Sequence, residues 1–389
     1  MKKVFFAAFF VLVFFAACSN GSKDSVYGGF EDEDGDYSEV TDLDREGYER
    51  PDDAPMPGGA SGSESGDPNG SNGSKDGDSV NDEDSIDDTD EINDSDSGSN
   101  ENPDEKEKVY ELEPDVGSCT SGIPSESEKQ KVLDRINYLR SIHKLSPVVY
   151  DEKDDEIAAE CALVIAANQK LSHEPDSSWK CYSEVALEGC SSSNIHIEMA
   201  SYDISSTNSA GIVDSFMTEE FQGEPKNLGH RRWLIDPWLT HIAFGRADYN
   251  DGHGNFVLGA AIKLINYDDG FGSISGTDIK FVAYPFENYP AELYNDNIMM
   301  SFTVIGDKFS KSNNGTNINL ATATIAVIDP DSKTMKVKSQ EFDNQNYGVP
   351  NNLRWYVEGI KPNVKYDVTI QNVFVDNNPE NYNYWFELK

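Results

Sequence analysis

The chain has 389 residues, with 71 acidic and 31 basic side chains and a formal net charge of −40. A chain of this length has room for two or three domains. Its strong negative charge disfavours binding to nucleic acid, because the phosphate backbone attracts basic proteins and repels acidic ones. The acidic residues are concentrated before residue 114, so the composition changes sharply along the chain.

The first seventeen residues have the pattern of an export signal. Two lysines precede an apolar run from Val4 to Ala17, which is shorter than the roughly 20 residues of a membrane-spanning helix. A charged start, a short apolar stretch and small residues before a cleavage site are typical of a secretory signal peptide. The stretch FAAC, which ends at Cys18, resembles a bacterial lipobox and implies cleavage before this cysteine and its lipidation. We therefore expect residues 1–17 to be a lipoprotein signal peptide, with an ordinary secretory signal as the alternative.

Lipidation of Cys18 would place the protein in a bacterial cell envelope, at the outer membrane or the cell surface, since several acyl chains together bind a bilayer stably. Residues 18–113 are rich in Asp, Glu, Ser and Gly and contain few apolar side chains. Such a segment cannot bury enough apolar surface to offset its conformational entropy, which predicts a disordered acidic tether. The carboxylates of residues 32–44 miss the spacing of an EF-hand loop, so we expect at most weak calcium binding there.

Residues 114–270 mix helical and strand patterns. Ser125 and Glu128 have the spacing of a capping box at the start of a helix. Apolar periodicity and helix stop signals predict helices at residues 124–147, 153–170 and 209–221. A buried strand is predicted at residues 256–265. No element is predicted for the long polar stretch at residues 174–208.

Residues 271–389 consist of short alternating segments rich in β-branched and aromatic residues, with turn residues between them. This pattern is typical of a β-sandwich. Aromatic residues such as Trp355 and Tyr356 are expected in core and edge packing, and a carbohydrate-binding face is the alternative. We expect an accessory or adhesion module.

Four cysteines follow Cys18, namely Cys119, Cys161, Cys181 and Cys190. An exported protein can keep disulfide bonds, and the number of cysteines is even. Three pairings are possible. We favour Cys181–Cys190 because these two are close in sequence, which leaves Cys119 for Cys161. A zinc site is the alternative, although the spacing C-x-x-C is missing.

Two stretches of the mixed domain carry family motifs. The stretch from Ile136 to His173 contains an N-x-x-R pair and a Ser-His that closes the second helix, and NLGHRRWLIDPWLTHIAFG contains a Gly-His-Arg before a core strand. In this order and spacing the motifs resemble the CAP superfamily, the cysteine-rich secretory, antigen and pathogenesis-related proteins with their bacterial SCP-like relatives. The resemblance covers residues 125–265. The expected fold class is therefore α+β, a CAP-type α-β-α sandwich followed by an all-β sandwich, after the acidic tether.

The resemblance also implies a cleft lined by two histidines and two acidic residues. The histidines carry over to His173 and His230, and Glu219 matches one acidic position. The Gly-Glu-Asn stretch that usually supplies the second acid is missing from this sequence. At this position we favour Asn194 over the alternatives Glu198 and Glu184.

Several kinds of chemistry fit such a cleft. Two neutral imidazoles and a carboxylate with an open position can hold zinc and polarise water, which makes His173 and His230 possible metal ligands. Imidazoles can also move protons without a metal. We favour binding of an extracellular small molecule, lipid, peptide or glycan. The alternatives are a metal-assisted hydrolase of envelope peptide or glycan, and a structural envelope component whose histidines only satisfy hydrogen bonds.

The two arginines after His230 are expected to be structural. Arg231 and Arg232 lie within reach of acidic residues in sequence, and we expect ion pairs with Glu219, Glu220 or Asp236. Anion binding is the alternative for both side chains.

Four histidines remain besides His173 and His230, and one of them, His253 in the turn NDGHGN, is expected to be solvated. His241 alternates with apolar neighbours and is predicted to be a structural strand residue. His143 lies late on the first helix and is expected to be solvated. No role is predicted for His196.

Overall fold

The computed structural model describes residues 12–15, 108–220, 226–266 and 272–389 of the chain. Cys18, residues 19–107 of the expected acidic tether and the weak calcium site expected at residues 32–44 lie outside these ranges. Lys106–Lys389 belong to one compact unit, so the two predicted domains can be described together.

The described residues form six α-helices, two short 3₁₀-helices and sixteen strands. The helices are α1 (Glu126–Ile142), α2 (Asp155–Asn168), α3 (Glu184–Ser191), α4 (Ser209–Thr218), α5 (Gly229–Leu234) and α6 (Asn313–Thr316), with 3₁₀-turns at Glu152–Asp154 and Ala291–Leu293. The strands are β1 (Leu12–Phe15), β2 (Tyr110–Leu112), β3 (Ile123–Pro124), β4 (Val149–Tyr150), β5 (Ser193–Ala200), β6 (His241–Asn250), β7 (Phe256–Lys263), β8 (Phe281–Tyr284), β9 (Glu287–Tyr289), β10 (Met300–Val304), β11 (Ile318–Asn319), β12 (Thr324–Ile328), β13 (Val337–Asp343), β14 (Asn352–Val357), β15 (Lys365–Val375) and β16 (Asn378–Leu388). None of the helices in these ranges has the length and hydropathy needed to cross a bilayer.

A five-stranded sheet with the order β1-β5-β7-β6-β4 forms the centre of the first domain. Strands β5, β7 and β6 are antiparallel neighbours, and β4 joins β6 in parallel. The apolar residues of α2 and α3 pack on one face of the sheet. Those of α1 and α4 pack on the other face. This arrangement confirms the predicted α-β-α sandwich.

The ends of the predicted helices follow local backbone signals. Ser125 is the N-cap of α1, and its Oγ accepts a hydrogen bond from the Glu128 N–H at 3.3 Å, as the capping box predicts. The helix ends at Ile142 and not near Pro147, because Lys144 adopts a left-handed conformation with φ 59° that closes the last turn. Similarly, α4 ends before Glu219, whose φ is 46°.

The predicted disulfide pairing is wrong. The bonds join Cys119 to Cys181 and Cys161 to Cys190, with Cα atoms 5.1 Å apart in each pair. Cys181 lies before α3 and Cys190 near its end, and a helix of this length separates its ends by about 12 Å, well beyond the reach of a disulfide. The short sequence distance between Cys181 and Cys190 therefore does not indicate a bond between them. Gly189 lets α3 approach α2, since a Cβ there would lie 2.1 Å from the Ile157 carbonyl oxygen.

The second domain is a sandwich of two sheets, as predicted. One sheet has the order β13-β14-β10-β8, and the other has the order β11-β15-β16-β9 with β12 paired to β15. Trp355 is fully buried between the sheets, whereas Tyr356 is half-buried on the opposite face of β14. The expectation that Trp355 serves core packing is confirmed.

A continuous apolar core joins the two domains. It includes Ile136 of α1 and Phe216 of α4 in the first domain, and Tyr284 and Phe302 of the sandwich in the second. His143, which was expected to be solvated, is only 4 % exposed and packs against Tyr289 of the sandwich with ring centroids 5.7 Å apart. The sandwich is therefore packed onto the α1 and α4 layer.

Residues 108–113, at the end of the predicted tether, also belong to the fold. The side chain of Tyr110 is buried, and its hydroxyl donates a hydrogen bond to Asp248 at 2.8 Å. Ser125 Oγ donates to the carbonyl oxygen of Lys108 at 2.7 Å. The predicted boundaries at residues 114 and 270 stay predictions, and any soluble variant should include the residues from 108 onwards.

Candidate functional site

The site is built around α5, a single helical turn that carries His230. The turn begins after Leu228, which adopts a left-handed conformation with φ 57°, and Gly229 is its first residue. All six residues of α5 are buried, and His230 has no exposed surface. A segment this short cannot form a stable helix by itself, so its position depends on its neighbours.

Three of the four predicted cleft residues are brought together around this turn. The Glu219 carboxylate accepts a hydrogen bond from the Arg231 N–H at 2.7 Å. The side-chain amide of Asn194 donates to the carbonyl oxygen of His230 at 3.0 Å. Asn194, Glu219 and His230 are at most 1 % exposed. A carboxylate from the end of α4 and an amide from β5 therefore fix the first turn of α5.

His173, the fourth predicted residue, lies in the loop after α2 and is half-buried. Its Nδ1 lies 2.7 Å from the carbonyl oxygen of Cys190, the residue that precedes β5 by three positions. With Nδ1–H as the donor to this carbonyl, Nε2 is the acceptor nitrogen of the ring. The Cys161–Cys190 disulfide thus holds the backbone that orients His173.

His196 also belongs to the site, although the sequence predicts no role for it. It lies two positions after Asn194 on β5, so the two side chains share one face of the sheet. Its ring contacts Phe216 edge-on at 6.1 Å, and Phe216 lies 4.8 Å from the His230 ring. The alternation of SNIHIEM was the available signal, but both faces of this strand are buried, and Asn194 and His196 occupy the face opposite Ile195 and Ile197.

Burial shifts the titration of two groups in the site in opposite directions. Burial raises the pKa of the Glu219 carboxyl to about 7, although the Arg231 charge and N–H group act to lower it. Burial also lowers the pKa of His196 to about 4, and the positive charge of Arg246 lowers it further. At neutral pH His196 is therefore uncharged, whereas Glu219 is present in both its protonated and its ionised form.

The described residues bring three candidate metal ligands within 4.8 Å of one another at Asp151, Asp154 and His241. His173 and His230 are not part of a group of this kind among these residues. Lys263 Nζ lies 3.6 Å from the Asp154 carboxylate and supplies a positive charge there. His241 is hydrogen-bonded to Asn266, in line with its predicted structural role. A zinc site at His173 and His230 stays a prediction.

The structural role expected for the two arginines is confirmed, but the expected partners are wrong. Arg232 forms an ion pair with Asp343 of the sandwich at 2.8 Å. The Arg231 guanidinium donates to backbone carbonyl groups, and only its backbone N–H contacts Glu219. Asp236, one of the expected partners, pairs with Lys311. Sequence distance favoured nearby acids, whereas Arg232 and Asp236 find their charged partners 111 and 75 residues away.

The fold and the site define an extracellular class of protein, an α-β-α sandwich with two disulfide bonds in which Glu219 and His230 are both buried. Residues 133–260 match the model of the CAP family, described as the cysteine-rich secretory protein family. This part of the chain, residues 133–260, is therefore a CAP domain. The match includes all four predicted cleft residues. A search of curated proteins gives no match to the chain.

Proposed function

We propose that the protein is a surface-anchored bacterial lipoprotein whose CAP domain binds an extracellular ligand at His173, Asn194, Glu219 and His230. The observation that carries this proposal is the burial of the Glu219 carboxyl group. This group is 1 % exposed, and burial raises its pKa to about 7. Burying titratable groups costs folding free energy. Groups with strongly shifted pKa values are concentrated at functional sites.

The anchor in this proposal is the lipidated Cys18 that the lipobox-like stretch predicts. The tether would hold the CAP domain away from the membrane, where a ligand can reach it. Removal of the signal peptide would also remove β1 and leave β5, the strand of Asn194 and His196, at the edge of the sheet.

The chemistry of the site favours a ligand with hydroxyl or amide groups. His173 is the half-buried member of the set, and the three buried residues lie around α5. Near neutral pH the Glu219 carboxyl can donate a hydrogen bond when protonated and accept one when ionised. Peptides and glycans present both kinds of partner, and so do the polar ends of lipids.

A metal-assisted hydrolase of envelope peptide or glycan is the second candidate. A carboxyl group with a pKa near the working pH is suited to general acid or base catalysis, and Glu219 has this property. This candidate requires turnover in addition to binding. We rank it second, because the described ligand atoms do not form a three-residue metal site at His173 and His230.

A ligand screen with site variants tests the proposal. Residues 19–389 of the wild type are melted with a panel of fatty acids, envelope peptides and glycans, beside the His173→Ala/His230→Ala double variant. A ligand at 100 times its Kd adds about 2.7 kcal/mol to the free energy of unfolding. We expect at least one compound to stabilise the wild type and not the double variant.

The control is His253→Ala, which removes an exposed histidine from a turn far along the sequence from the site. It should respond to ligand as the wild type does. A panel in which no compound distinguishes the wild type from the double variant would contradict binding at this site. Conversion of a stabilising compound to product, lost on addition of a chelator, would favour the hydrolase.

A further inference from the structure

The side chain of Arg231 crosses from α5 into the second domain. It is fully buried, and its Nη1 donates to the carbonyl oxygen of Met299 at 2.7 Å and to Ser301 Oγ at 3.2 Å. The guanidinium carbon lies 3.6 Å from the centroid of the Tyr284 ring, in cation–π contact. Strands β8 and β10 of the sandwich therefore hold this side chain.

The same guanidinium holds the end of α4. Arg231 Nε donates to the carbonyl oxygen of Met217 at 2.6 Å, and Nη2 donates to that of Thr218 at 3.0 Å. These are the last two residues before Glu219, whose carboxylate accepts the Arg231 N–H. One buried side chain thus connects the sandwich to both helix ends that carry site residues.

Arg232 forms a second connection from the other side of α5. Its guanidinium pairs with Asp343 and donates to the carbonyl oxygens of Gln345 and Val349 at 2.8 and 3.1 Å. Gly348 lies directly on the helix, because a Cβ at this position would come within 2.2 Å of the Arg232 carbonyl oxygen. The loop after β13 therefore fits closely against the backbone of α5.

From these contacts we infer that the β-sandwich is a positioning element of the site and not an independent accessory module. Arg231 and Arg232 are positioning residues that fix His230 and Glu219 against β8, β10 and the loop after β13. The physical reason is the length of α5, since six residues take their position from tertiary contacts. The inference rests on the proposed function for one point only, which is the binding role of His230 and Glu219.

The test follows the His230 ring by NMR, which needs no ligand. Residues 19–389 are labelled at the histidine ring nitrogens, and the His230 signals are identified by their loss in His230→Gln. Asp343→Ala removes the partner of Arg232 and leaves two arginines facing each other, since Arg354 also pairs with Asp343. We expect the His230 signals to shift or broaden while those of the exposed His253 stay in place.

Two further variants keep the test decisive. Asp343→Asn is milder, because it removes the charge and keeps a hydrogen-bond acceptor, so it covers the case in which the alanine variant does not fold. Glu358→Ala breaks an exposed pair with Lys338 in the same domain and should leave the His230 signals unchanged. His230 signals that superimpose on those of the wild type in both folded Asp343 variants would overturn the inference. Failure of the ligand screen alone would leave this result unaffected, so the two proposals are separable.

Discussion

Lys311→Met is expected to lower the free energy of unfolding by about 3–5 kcal/mol, because it leaves the Asp236 carboxylate buried without its ammonium partner. Both side chains of this ion pair are at most 5 % exposed. The second oxygen of Asp236 accepts the Trp238 N–H at 3.0 Å, so the carboxylate is held in place. The pair joins the segment after α5 to the loop before α6 and so spans the two domains. Urea unfolding of residues 19–389 measures the loss.

A double variant and a surface control make this prediction specific. Asp236→Asn/Lys311→Met removes both charges of this pair and should recover part of the loss, because neither member of the pair is then left as an unpaired ion. Lys338→Met breaks the exposed pair with Glu358 and should change stability by at most about 0.5 kcal/mol. A Lys311→Met loss no greater than that of Lys338→Met would show that the buried pair does not stabilise the domain contact.

Gly245→Ala is expected to cost about 3 kcal/mol, because the strand β6 and the helix α2 are in direct backbone contact there. A Cβ at Gly245 would lie 2.2 Å from the carbonyl carbon and oxygen of Ala158 and 2.5 Å from the Ala159 nitrogen. The obstacle is backbone, so no side-chain rotation can relieve it. Gly259 on the neighbouring strand makes a similar contact with Ala162. Chemical unfolding measures the effect.

Gly211→Ala is the matched control for this substitution. Gly211 is exposed on α4, and no atom lies within 4 Å of the position of its Cβ. Alanine forms helices more readily than glycine, so this variant should gain up to about 1 kcal/mol. Equal effects of the two substitutions would contradict the close packing of α2 on the sheet.

Much of the first domain follows from periodic patterns in the sequence. The apolar spacing of α1, α2 and α4 predicts these helices, because each buries a continuous apolar stripe. The capping box at Ser125 and Glu128 predicts the start of α1 correctly. The family motifs predict the site residues that the structure gathers around α5. Local signals and recurrent motifs are the properties that a single sequence can reveal.

The unpredicted features depend on contacts between distant residues. Strand β5 buries Ile195 and Ile197 on one face and Asn194 and His196 on the other, so its alternation resembles that of a strand with one exposed face. The disulfide partner of Cys161 is set by the packing of α3 on α2. The partners of Arg231 and Arg232 come from the sandwich, and nothing near them in sequence indicates this.

The second domain shares its apolar core with the first, although the sequence predicts a separate accessory module. A module attached by a linker would have its own core and a polar surface towards its neighbour. Here one apolar core is continuous between the two domains. The contacts of Arg231, Arg232 and Lys311 also join residues of one domain to residues of the other. We therefore expect the two domains to support one site, with the sandwich holding the turn that carries His230.

We infer that Glu219 serves the function of the site at a cost in stability. Its raised pKa means that the folded state binds a proton more tightly than the unfolded state, so the contribution of Glu219 to stability is lost as pH rises from about 4.5 to about 7. Glu219→Gln removes this titration and keeps an acceptor for the Arg231 N–H. The most direct measurement is the free energy of unfolding of both proteins at pH 5 and pH 8. We predict that the glutamine variant gains about 1–3 kcal/mol relative to the wild type between these two pH values. A variant that is less stable by the same amount at both would contradict the claim and make Glu219 a structural residue.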